Sequence, residues 1–145
     1  MIPIKDDIPT RSFPILTITL IIINIAVFIY EISLPEDYFM AFINRYALFP
    51  LDVVHFNIEP LITHMFLHGG IGHIFGNMLF LWIFGNNVED ALGKFRFLIL
   101  YIFSGFTAAF LQSFVSILEG SVNIPMVGAS GAISGILAAY TKTDV

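Results

Sequence analysis

The sequence predicts an all-α polytopic membrane protein, a helical bundle with four transmembrane spans, and three features carry that expectation. Of the 145 residues, 57% are hydrophobic and only 12% are charged, and the mean hydropathy of +0.88 lies well above that of an ordinary soluble domain. The apolar residues are gathered into blocks approaching the ~20 residues that cross a hydrocarbon core. Charges, prolines and turn residues collect between the blocks. The chain has no cysteine, which excludes disulfides and thiolate catalysis. Its formal net charge of -5 comes without any basic run, so nucleic acid is not an expected partner. The expected partners are the lipid bilayer and other membrane proteins.

The first block, Ile15 to Tyr30, carries no charge and is flanked by Arg11 and Glu31, so it is expected to be the first span. Lys5 and Arg11 ahead of it would also suit a secretory signal peptide, but the residues from Glu31 to Asp37 offer no small-residue cleavage site. Ser33 to Thr63 form a long connection with Pro35, Pro50, Pro60, Glu36, Asp37, Asp52, Glu59 and interfacial aromatics, read as a partly structured loop at the membrane surface. Further spans are expected over His64 to Val88, Phe97 to Leu118 and Ile124 to Tyr140. With the N-terminus cytoplasmic, Lys5, Arg11, Lys94, Arg96 and Lys142 fall inside and only Arg45 falls outside, five against one. That asymmetry sets the expected orientation of this multi-pass integral membrane protein.

Polar side chains are costly in lipid and persist mainly where they face protein or a water-filled cavity. The second block opens with His64, His68, His73 and Asn77, and the fourth carries Gly128-Ala129-Ser130-Gly131 about five residues after Pro125. His73 and Asn77 are four apart and share a helix face. Both blocks start at the outer surface in the expected topology, so Ser130, His73 and Asn77 fall at similar depth. That grouping suits nucleophilic attack by Ser130 on an amide carbonyl, with His73 and Asn77 donating hydrogen bonds to the oxyanion. Glycines beside the serine would let its backbone N–H reach the same oxyanion and let a neighbouring helix approach.

Plainer readings stand beside this one. Gly131 and Gly135, with Ser134 between them, also form a small-residue packing motif common between membrane helices. His55, His64 and His68 are read as interfacial residues bonded to loop backbone. His64 and His68 have the spacing of a shared zinc ion, but Met65 and Phe66 occupy the interior positions where the His-Glu-x-x-His motif needs its glutamate. No metal or other cofactor is therefore expected. Glu89 and Asp90, near the cytoplasmic end of the second span, suit capping better than catalysis. A small transporter or structural membrane protein, with the polar residues lining a pathway, is a further possibility.

The order His68-x4-His73-x3-Asn77, Asn87-Val88-Glu89, Gly93, Tyr101, Ser104-Gly105 and Gly128-Ala129-Ser130-Gly131 closely resembles the rhomboid family of intramembrane serine proteases. The likeness covers about Ile62 to Tyr140. It implies four spans of a six-helix core and places the nucleophile at Ser130. His73 and Asn77 would line the oxyanion hole, supported by Gly128, Gly131 and His68. It also implies that the long first loop is a membrane-embedded element, that Glu89 anchors the cytoplasmic helix ends, and that substrates are transmembrane helices cut near the outer membrane face. On this basis residues 1–54 would hold the cytoplasmic N-terminus, the first span and the start of the outer loop, and 55–145 an incomplete catalytic domain.

Two departures from the family pattern shape the expectations. Glu59-Pro60 stands where the family often has a Trp-Arg pair, which bears on how the first loop is anchored. The family's general-base histidine lies in its sixth span within an Ala-His-x-x-Gly type motif, and this sequence runs to Val145. None of His55, His64, His68 or His73 matches that base. The 145-residue chain is therefore expected to be a fragment, inactive by itself, with its Gly131 and Gly135 face left without the sixth helix that packs against it in the family. A rhomboid-like pseudoprotease that binds transmembrane segments without cutting them is the alternative function.

Overall fold

The fold is that of a computed structural model describing residues 9–143; Lys5 and Val145 lie outside the described residues. Among the described residues eight α-helices follow in chain order: α1 Ile15–Ser33, α2 Glu36–Tyr46, α3 Pro50–Val54, α4 Ile58–Thr63, α5 Ile71–Phe80, α6 Asn86–Leu92, α7 Lys94–Leu118 and α8 Ser130–Tyr140. A 3₁₀ turn, His64–Phe66, extends α4, and a π-helical segment, Leu81–Gly85, joins α5 to α6. Among the described residues there is no β-sheet, only one antiparallel bridge between Leu48 and Met126.

Local chemistry sets the helix limits. α1 has 19 residues, roughly 28 Å at 1.5 Å each, close to the thickness of a hydrocarbon core. It stops where Leu34 turns extended ahead of Pro35, as the residue before a proline prefers. α2 carries Glu36 and Asp37 in its first turn and Arg45 in its last, complementing the helix dipole. Phe49 N–H donates to Asp52 Oδ2 at 2.9 Å, satisfying a free donor at the start of α3. Gly93 lies at φ +79°, ψ 159° between α6 and α7, a conformation that is essentially glycine's alone.

The four expected spans are matched in part. α1 and α7 are each long and apolar enough to cross a membrane, and a third span follows if Ile58–Phe66 and Ile71–Leu92 count as one broken span. The second block does not start a helix at His64. The chain bends by 89° between those two segments, and the helix runs from Ile71 to Leu92. The bend falls at His68-Gly69-Gly70, inside an apolar run where hydropathy alone marks no change of direction. The fourth block is helical only from Ser130, giving 11 residues, or roughly 16 Å. Met126 leaves the helix because it exchanges backbone hydrogen bonds with Leu48 at 2.8 and 3.1 Å.

The main core joins α1, the α5–α6 rod, α7 and α8 through Phe97, Tyr101, Leu81, Val88, Ile133 and Ile136. A smaller cluster of Leu48, Val53, Leu61 and Ala109 seats the first loop on α7. That loop is largely helical, and other anchors stand in for the Trp-Arg pair. Arg45 pairs with Glu59 at 2.8 Å, and Thr63 Oγ1 donates to Tyr46 O at 2.7 Å.

The Gly131 and Gly135 face of α8 packs on α7. A Cβ on Gly131 would lie 2.5 Å from Ala108 Cβ, and one on Gly135 would run into Ser104 Oγ. Both glycines are covered by α7, because small residues on the two helices let their backbones approach. At the opposite end of the bundle, Glu89 accepts from Leu16 N, Thr17 N and Thr17 Oγ1, while Asp90 accepts from Arg11 N, Ser12 N and Ser12 Oγ. Glu89 thus takes up free N–H groups in the first turn of α1, and Asp90 those of the segment leading into it.

Candidate active site

Three chain segments converge at the end of the bundle where α5 and α8 begin. The first is the link from His64 to Gly70. The second is the first two turns of α5, carrying His73 and Asn77. The third is the approach to α8, ending in Gly128-Ala129-Ser130. Gly128 N–H donates to His64 O at 2.8 Å, tying the first to the third. Gly128 sits at φ +121°, and a Cβ there would lie 2.7 Å from His73 Cε1, 2.8 Å from His73 Nε2 and 3.7 Å from Asn77 Nδ2. The backbone two residues before Ser130 is therefore seated directly on the His73 ring, with Asn77 just beyond.

The hydrogen bonds fix which atoms can act. Gly69 N–H donates to His73 Nδ1 at 3.1 Å, so Nδ1 is the acceptor and, in the neutral ring, Nε2 carries the hydrogen. That Nε2–H faces Gly128 and makes no hydrogen bond among the described residues. Asn77 is buried, and its Nδ2 has no partner among the described residues. Ser130 is the first residue of α8, so its own N–H belongs to the first turn, where no intrahelical acceptor exists. Of these donors, Asn77 Nδ2 is buried, while His73 and Ser130 are exposed residues.

Ser130 itself is exposed and lines a cavity of about 390 Å³ together with His64, Met65, Gly105, Gln112 and Met126. Ser134, the other serine of the small-residue motif, donates to Ser130 O at 2.8 Å and is occupied by the helix backbone. The His68 ring stands edge-on to His73 at 5.1 Å between centroids. His68 is buried, and its backbone N–H donates to Glu31 Oε2 at 3.2 Å. His64 belongs to the turn before the bend, with its Nδ1 2.8 Å from Pro60 O. The helical i, i+4 premise behind a shared metal at His64 and His68 therefore does not apply. His55 is exposed at the end of α3.

A sequence model of the rhomboid domain matches residues 55–144. The chain belongs to the rhomboid family. Rhomboid protease AarA of Providencia stuartii is 34% identical over 142 residues, covering 86% of this chain and 49% of that protein. Rhomboid protease GluP of Bacillus subtilis is 43% identical over 79 residues, 54% of this chain and 14% of its own length. The human presenilin-associated rhomboid-like protein, mitochondrial, is 32% identical over 81 residues, 56% and 21% respectively. The chain spans about half of AarA's length and less of the others. These rhomboid relatives include proteins named as proteases and one named only as rhomboid-like.

Of the residues singled out from sequence, Gly128 approaches His73 and Asn77, His68 packs edge-on to His73, and Ser130 and Gly131 follow at the start of α8. Sequence reasoning missed Glu31 and Gly69. Glu31 read only as the charged flank of an apolar block, and its partner is a backbone N–H 37 residues away that no spacing marks. Gly69 carried a weak signal, since the pair Gly69-Gly70 inside an apolar run is a common mark of a break.

Proposed function

We propose that this chain carries the nucleophile and oxyanion hole of a rhomboid-type intramembrane serine endopeptidase. The observation that supports this is the close approach of Gly128, two residues before Ser130, to His73 Nε2 and to the buried, partnerless Asn77 Nδ2. Ser130 Oγ attacks the scissile carbonyl, and the developing oxyanion takes hydrogen bonds from His73, Asn77 and the Ser130 N–H. Such donors gain strength as charge builds, and each is worth about 10²–10³ in rate. Gly128 and Gly131 keep the turn close to the ring and to α7. The attack also requires a general base, which none of the four histidines supplies: His73 is committed as a donor, and the others are placed as described above.

The orientation we favour puts the N-terminus in the cytoplasm, supported by the lysine and arginine asymmetry. The Glu89 and Asp90 end is then cytoplasmic and the Ser130 end lies toward the outer face. α8 enters as a fourth span, and the substrates are transmembrane helices cut near that face. Labelling of the complete gene product in membranes with a fluorophosphonate tests this. Wild type should be labelled and Ser130→Ala should not. Equal labelling of the alanine variant would remove Ser130 as nucleophile, and a folded wild type that never labels would favour a rhomboid-like protein that binds transmembrane segments without cutting them.

A further inference from the structure

We propose that Glu31, in the last turn of α1, is a positioning residue for the oxyanion donor His73; this rests on the function proposed above. Glu31 is 2% exposed, and among the described residues the ion pair is Arg45–Glu59, so no cation offsets its burial. A carboxylate buried without a counter-charge is costly and persists where it has a task. Its bond is to the His68 backbone N–H, at 3.2 Å.

That bond falls on the stretch of chain that needs an anchor. Leu67 to Gly70 is neither helix nor strand, so its peptides are not held by a repeating hydrogen-bond ladder. The next N–H along, that of Gly69, is the one that donates to His73 Nδ1 at 3.1 Å. Holding the His68 peptide therefore aims the Gly69 N–H, and the Gly69 N–H selects the His73 tautomer whose Nε2–H faces Gly128. The His68 ring, packed edge-on to His73 at 5.1 Å, keeps the two parts in register. Glu31 reaches the chemistry through two consecutive peptides and touches no reacting atom.

The test uses the complete gene product in lipid nanodiscs, with ¹⁵N-labelled histidine, and reads the His73 tautomer alongside turnover of a transmembrane reporter. Wild type should show the single Nε2–H tautomer. Glu31→Leu should show mixed tautomers and a kcat lower by ~10- to 100-fold, with KM within about twofold. Glu31→Gln keeps an oxygen acceptor and should restore both readouts. An unchanged tautomer in Glu31→Leu, or no rescue by Gln, would overturn the role. If Glu31→Leu does not fold, Gly69→Pro removes the relaying N–H and leaves α1 alone. It should mix the tautomers, and a single tautomer there overturns the role equally. Because the tautomer is read without turnover, a wild type that cleaves nothing would sink the protease assignment and not this one.

Discussion

Replacing Gly128 with alanine tests the site at its tightest point. The residue sits at φ +121°, where a side chain costs about 1–3 kcal/mol in backbone strain. The added methyl would lie 2.7 Å from His73 Cε1 and 2.8 Å from Nε2, against 3.4 Å for the near limit of ordinary contact. The ring or the turn must then give way by about 0.7 Å. His73 is held from behind by the Gly69 N–H and flanked by the His68 ring, so either movement disturbs the seat of the Gly128 turn on the ring. A displacement approaching 1 Å costs up to ~10²-fold in rate. In proteoliposomes, Gly128→Ala in the complete gene product should lower kcat for a transmembrane reporter by about 100-fold, with the strain visible as reduced stability to denaturant. A kcat within about twofold of wild type would refute the placement of Gly128 on His73.

Other substitutions separate stability from chemistry. Asn77→Leu removes a buried donor that has no partner, so stability should hold or rise while kcat falls by about 10²-fold; matched denaturation and kinetic curves check both signs. Gly93→Ala, at φ +79° with open space around it, should cost about 1–2 kcal/mol of stability and leave kcat unchanged. Glu89→Ala strands the N–H groups of Leu16 and Thr17 and the buried Thr17 hydroxyl, so unfolding in detergent should become easier by about 2–4 kcal/mol. Gly135→Ala drives a methyl into Ser104 and should cost about 1–3 kcal/mol. Adding Ser104→Gly should recover most of that loss, as a double-mutant cycle would show.

The class of fold was legible because hydropathy reports burial in lipid directly, and α1 and α7 fall close to their expected limits. The expected grouping of His73, Asn77 and Ser130 could be read from sequence for a different reason. Two residues four apart must share a helix face, and a serine a few residues below an expected surface must lie at a definite depth. What stayed hidden was direction and partnership. The 89° bend before α5 falls between Phe66 and Ile71, where Gly69-Gly70 marks a break but not its angle. Met126 leaves its helix for Leu48, 78 positions earlier, and no local pattern signals that pairing. The small residues of α8 promised a close neighbour without naming it, and α7 supplies it through Ser104 and Ala108. Glu31 looked like an interfacial flank because its partner is a main-chain N–H, which has no signature in sequence.

The most direct measurement compares the complete gene product carrying Ser130 with its Ser130→Ala variant, for cleavage of a single-span transmembrane substrate reconstituted in proteoliposomes. Cleavage near the outer membrane face by the first, and none by the second, is the expected result. Cleavage that survives in the alanine variant would place the nucleophile elsewhere, and a folded wild type that leaves the substrate intact would contradict a protease at this site.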